Sequence, residues 1–141
     1  MLKKNELDQI VESIRKAEGK TSAEIRVCVV RRCKADPYDA AIGEFFEYKM
    51  DQTALRNGVL IYVAPSDKKA AIVGDVAIDS VVDKGFWDSA LEGMVQLFAQ
   101  DNLCEGICMG VSMVGEIIQD KFPIAEDDVN ELSDEVIIDE E

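Results

Sequence analysis

Four carboxylates and one guanidinium stand out as groups whose types and spacing suit chemistry: Glu24, Asp75, Asp79 and Asp83, with Arg56 beside Asn57. Several oxygen donors without sulfur or imidazole among them suit a hard cation, Ca²⁺ or Mg²⁺. An arginine in such a set either pairs with a carboxylate or receives an anion such as a phosphoryl group. The same residues also have plainer uses. Asp75 suits the cap of a turn, Asp79 and Asp83 suit helix N-caps, and Arg56 suits an ion pair with one of them. The spacing of Asp75, Asp79 and Asp83 is not that of an EF-hand loop, so spacing alone does not choose between the two.

Composition removes many other chemistries. The chain of 141 residues contains no histidine. That excludes His-based acid–base pairs, Ser-His-Asp triads and His-ligated zinc, because no other unperturbed side chain changes charge near neutrality. Gly19-Lys20-Thr21 resembles the end of a phosphate-binding loop, but the first glycine of that pattern falls on Ile14. The segment also follows a helix and precedes a strand, the reverse of what phosphate cradling requires. Neither Cys-x5-Arg nor Asp-x-Asp, two phosphatase signatures, occurs in the chain.

The formal charge of −14 argues against nucleic acid and anionic membranes, which reward lysine and arginine. Much of the excess lies at one end: residues 126–141 hold nine acids and no base, against 20 acids and 15 bases in residues 1–125. Such a run reads as a solvated, flexible tail, with Leu132, Val136, Ile137 and Ile138 as the residues able to dock it on the body. The opening residues carry Glu6 and Asp8 where a signal peptide needs apolar residues, and no apolar run is long enough to span a membrane. No Cys-x-x-Cys occurs among the cysteines. Cys28 falls in an apolar strand pattern, and Cys104 and Cys108 share a helix face. Four reduced thiols packing as small hydrophobes agree with a cytoplasmic, monomeric protein without membrane insertion.

The elements that must position the acidic residues follow from periodicity. Leu7, Ile10, Val11 and Ile14 recur with helical spacing up to a stop at Gly19. Residues 24–31 alternate as a strand, and Asp36-Pro37 opens a helix that runs to about Met50. Residues 59–64 are a continuous apolar run suited to a strand buried on both faces, and residues 69–74 form the next strand after the turn at Pro65. Two helices follow, near 85–100 and 103–119. The first two strands are joined through a helix and should lie parallel, while the second and third should pair antiparallel. The sum is one α/β domain over residues 1–125, a three-layer α/β/α sandwich with a small mixed sheet. Gly106, Gly110 and Gly115 give the last helix a thin face for close helix packing. In this topology both parallel strands begin, and the third ends, at one edge of the sheet, which gathers Glu24, Arg56, Asn57, Asp75 and Asp79, with Asp83 beyond.

Several stretches at these residues resemble the TPM domain family, known from thylakoid photosystem-repair proteins and from many bacterial proteins. They are Ile14–Val27 (IRKAEGKTSAEIRV), Arg56–Ala64 (RNGVLIYVA), Ala71–Asp79 (AIVGDVAID), Phe86-Trp87-Asp88 and Phe122-Pro123. The resemblance implies an α/β/α sandwich of the stand-alone soluble bacterial type. It also implies three functional alternatives: divalent-cation binding, a weak metal-dependent acid phosphatase (a phosphomonoesterase), or a non-enzymatic accessory module that docks on a protein complex. By position, Glu24 falls in the TSxE segment, Arg56 and Asn57 in the RNG segment, and Asp75 in the GD segment. Two departures weaken the enzyme alternative. Ala77 stands where relatives often have glycine, and Asp51 where they often have histidine.

Overall fold

A computed structural model describes residues 2–83, 85–124 and 132–139 and forms the elements in the expected order. Helix α1 (Lys4–Glu18) buries Ile10, Ile14 and Ala17 and is capped by Gly19. Strand β1 spans Glu24–Val30. Helix α2 (Pro37–Glu47) begins with Pro37 at its first position, and the Asp36 side chain accepts from the amides of Tyr38 and Asp39. These contacts satisfy donors that a helix N-terminus otherwise leaves open. Strand β2 (Gly58–Ala64) is buried at every position, as its continuous apolar run demands. A 3₁₀ turn at Pro65–Asp67 leads into β3 (Lys69–Gly74). Then come a four-residue helix α3 (Val76–Asp79), α4 (Gly85–Ala99) and α5 (Leu103–Gln119).

Among the described residues four strands make one sheet in the order β3-β2-β1-β4, where β4 is Ile137–Asp139. Strands β1 and β2 are parallel with Glu24 opposite Gly58, and β2 and β3 are antiparallel. Side-chain alternation then divides the core in two. Ile25, Val27 and Val29 of β1 and Val59, Ile61 and Val63 of β2 face α1, α4 and α5. Cys28, Leu60, Tyr62 and Ala71 face α2 through Ala41 and Phe45. The result is the three-layer α/β/α sandwich.

The tail expectation requires correction over part of its length. Ile137 to Asp139 pair in parallel with Cys28 to Val30 of β1, and Ile137 is buried in the core on the α2 side. Charge suggested a solvated run, but the second half of β1, Cys28 to Val30, is apolar on both faces and would otherwise stand at the edge of the sheet. An apolar strand edge favours a pairing partner. Residues 126–131, 140 and 141 of the expected tail lie outside the described residues.

The thin face of α5 packs as expected. A Cβ at Gly110 would lie 2.4 Å from Met94 Sδ, and one at Gly106 would lie 2.8 Å from Phe98 Cε1. Gly74 makes the closest approach that matters to the site. A Cβ there would lie 2.5 Å from Ile78 Cγ2 and 2.8 Å from Ile78 Cβ, an atom held by the backbone of α3 and unable to rotate away. Gly74→Ala should therefore push α3 off the end of β3. The expected loss is about 1–3 kcal/mol of unfolding free energy, checked by urea melts. Unchanged stability would mean that α3 shifts freely.

Candidate functional site

The expected edge forms, and its residues are bound to one another. Glu24 begins β1, and its amide donates to Asn57 O at 3.2 Å. Its side chain is buried, and Oε1 accepts from the Leu132 amide at 2.7 Å, so the segment before β4 reaches this edge. Asn57, also buried, donates from Nδ2 to Ser22 O at 3.0 Å, and its amide donates to Thr53 Oγ1 at 3.3 Å. It thereby ties the segment before β1 to the start of β2. On the same side, Thr21 Oγ1 donates to Phe122 O, and so does the Ser22 amide at 2.8 Å.

Arg56 and Asp75 form the centre of the edge. Asp75 is 4% exposed and follows β3, with its amide donating to Gly58 O at 2.9 Å. Arg56 has a left-handed backbone with φ of 51°, a conformation disfavoured for a residue carrying a Cβ. That geometry lets its carbonyl accept from the Ala77 amide at 3.1 Å. Its guanidinium grips Asp75 with both forks, Nε to Oδ2 at 2.7 Å and Nη2 to Oδ1 at 2.8 Å. Hydrogen bonding to Asp75 raises the Arg56 pKa above its ordinary value, with Asp51 adding to the field. Asp75 Oδ1 also accepts from the Val76 amide at 2.7 Å and so caps α3. Ala77 lies inside that helix, where a glycine's conformational freedom is not required.

Asp79 and Asp83 are exposed and lie to one side. Together with Val81 and Phe86 they line a shallow cleft of about 520 Å³. Asp79 ends α3, with its amide donating to Asp75 O at 2.9 Å. Asp83 Oδ1 accepts from the Gly85 amide at 3.1 Å, next to the start of α4. Glu24, Arg56, Asn57 and Asp75 thus meet as topology required, while Asp79 and Asp83 sit on the adjoining loop. Among the described residues no three His, Cys, Asp or Glu side chains are arranged to hold a metal ion. The donors fit a hard cation in kind, being all oxygen, but Asp75 is already neutralised by Arg56.

Glu18 and Asp134 belong to this neighbourhood and were not anticipated. Glu18 Oε2 accepts from the Ile25 amide at 2.9 Å. Burial, then a hydrogen bond with Asp134, pushes the Glu18 carboxyl up to about 9. Arg15 Nε lies 3.6 Å from Asp134 Oδ2. A glutamate in the last turn of an amphipathic helix is an ordinary surface residue by pattern, so only the docked segment distinguishes it.

A three-layer sandwich with a mixed sheet, crossed at one edge by an Asp–Arg latch, defines the class of protein. Residues 1–117 match the model of the TPM domain, and the chain belongs to that family. It is similar to the BA42 protein from the psychrophilic bacterium Bizionia argentinensis, solved by NMR. The two are 39% identical over 98% of this chain and 95% of that one, with a TM-score of 0.89. Two more distant NMR structures share the fold. The N-terminal domain of a P. gingivalis protein is 14% identical, covering 86% of this chain and 78% of that one, with a TM-score of 0.67. The N-terminal domain of cg2496 protein from Corynebacterium glutamicum is 13% identical, covering 97% and 80%, with a TM-score of 0.65. No curated protein matches the chain. Among the described residues no helix is long and apolar enough to cross a membrane.

Proposed function

We propose that the chain is a divalent-cation-responsive binding module, with Asp75 as the principal donor for Ca²⁺ or Mg²⁺ and Glu24, Asp79 and Asp83 as further oxygen donors. The observation that carries this reading is the Arg56–Asp75 latch. A carboxylate as buried as Asp75 requires a positive partner, and its partner is a guanidinium whose side chain is 44% exposed. Arg56 is solvated enough to move into water once another cation takes its place at Asp75. A hard cation is the other group able to satisfy the same carboxylate, since Ca²⁺ and Mg²⁺ take oxygen ligands. Release of Arg56 also frees the loop it strains, which couples cation binding to the shape of the edge. Asn57 organises that edge in both states.

The reading has a distinctive signature in ¹H–¹⁵N NMR titrations of metal-free protein with Ca²⁺ and then Mg²⁺. Saturable shifts are expected at Glu24, Asn57, Asp75 and Asp79. Asp75→Asn, which keeps an acceptor for the Val76 amide, should weaken binding by roughly tenfold or more through the lost ligand charge. Arg56→Gln removes the competing cation and should tighten binding roughly three- to tenfold, the scale of a half-exposed ion pair. Equal affinity in all three proteins, or shifts confined to residues 126–141, would overturn the assignment.

A second reading, an accessory module that docks on a protein partner, is favoured by one observation. Leu55, Val76, Val81 and Phe86 are large apolar residues exposed around the same edge. Clustered apolar exposure of that kind marks interaction surfaces. A Val76→Asp, Phe86→Asp double variant that keeps every partner captured by the parent chain would remove this reading. The phosphomonoesterase alternative has support only from the family, since Arg56, the residue to receive a phosphoryl group, holds Asp75 instead.

A further inference from the structure

Cys104 and Cys108 lie at the opposite end of α5 from the residues that approach the acidic edge, and neither the fold nor the proposed function uses them as thiols. They are four residues apart on α5 and therefore on one face. That spacing brings the two thiols to neighbouring positions one turn apart. Cys104 is buried, with Sγ 3.6 Å from both Glu6 O and Gln9 Oε1 of α1, while Cys108 is half-buried. Both line a cleft of about 590 Å³ between the start of α1 and the start of α5, with Glu6, Glu105 and Asp101 on its walls. A ligand therefore meets both thiols in one cleft, a way in from solvent, and three carboxylates against the single cation Lys3. Cys28 and Cys33, by contrast, are sealed in the core beside α2.

We propose that Cys104 and Cys108 form a two-coordinate site for a monovalent soft cation, of which Cu(I) is the physiological representative. Thiolate sulfur selects soft ions over the hard cations of the acidic edge. Zinc favours a closed set of four ligands rich in sulfur and imidazole, and this cleft offers two thiols and no histidine beside its carboxylates. Digonal coordination of a d¹⁰ ion needs two sulfurs and nothing more. Binding forms two copper–sulfur bonds, breaks two S–H bonds and releases both protons to water. No electron is transferred, because copper arrives and remains as Cu(I). The ion displaces both protons as it binds.

The test is an anaerobic titration of the full chain with cuprous acetonitrile complex against the chromogenic chelator bicinchoninate. One equivalent of copper should be withheld from the chelator, and X-ray absorption should report sulfur neighbours only. Cys108→Ser should weaken retention roughly a hundredfold, the scale of losing chelation, whereas Cys28→Ser should change nothing. Cys108 is half-buried, so its serine variant is the one suited to retaining the fold, and a circular dichroism spectrum matching the parent establishes that. Failure of the parent chain to withhold copper would overturn the proposal. So would equal retention by the Cys108→Ser variant.

Discussion

Ile61→Ala is expected to lower the unfolding free energy by about 2–5 kcal/mol, the cost of a large-to-small change in a core that cannot collapse. Ile61 is fully buried at the middle of β2. It stands between Val27 of the parallel neighbour and Ile72 of the antiparallel one, and it faces the helical layer of α1, α4 and α5. Strands fix its backbone on both sides, so the cavity cannot be closed by moving β2. The urea midpoint should fall while the slope of the transition stays constant, since the surface exposed on unfolding hardly changes. Ile138→Ala is the matched control. That isoleucine is 37% exposed on the three-residue edge strand β4, and its loss should cost under about 1 kcal/mol. Equal losses at the two positions would contradict the assignment of β2 to the centre of the sheet.

Raising the pH is expected to release β4 from the body. Glu18 sits at the end of α1 with its carboxyl pushed up to about 9, first by burial and then by its hydrogen bond with Asp134. Its charged neighbours are Asp134 and Glu24, while Arg15 approaches Asp134. The folded-state value lies above the ordinary value of 4.5, so the protonated form is the one that folding favours. The stabilising contribution is then fully present below about pH 4.5 and is lost as pH rises through about 9. The loss falls on the contact that Asp134 makes, and Asp134 lies three residues before β4. Methyl NMR of Ile137 should show the strand docked at pH 6 and undocking toward pH 9. Glu18→Gln, a neutral side chain able to donate to Asp134, should remove that dependence. Ile137 signals indifferent to pH in the parent chain would show that strand pairing alone holds β4.

The contrast between the Arg56–Asp75 latch and strand β4 shows why some features are legible in the sequence and others are not. Asp36-Pro37 announced the start of α2, and the unbroken apolar run of β2 announced a central strand, because capping and burial on two faces are local demands. Arg56, Asn57 and Asp75 are brought to one edge by topology alone, since a parallel pair joined by a helix and an antiparallel return leave one arrangement. Gly106 and Gly110 announced close packing, though not that Met94 and Phe98 would fill the space. The fourth strand is hidden by the acids around it, yet a signal exists: Cys28 to Val30 are apolar on both faces at what would be a sheet edge.

What the sequence determined by itself, then, is the layer order, the sheet end that collects the acids, and the absence of imidazole chemistry. These follow from periodicity, connection length and composition, which are properties of the chain alone. Tertiary structure decided which carboxylate meets which partner. Arg56 reaches Asp75 across 19 residues, and the Leu132 amide reaches Glu24 across 108. A carboxylate's behaviour depends on whether it is desolvated and on which charge it faces, and no local pattern in the chain encodes either.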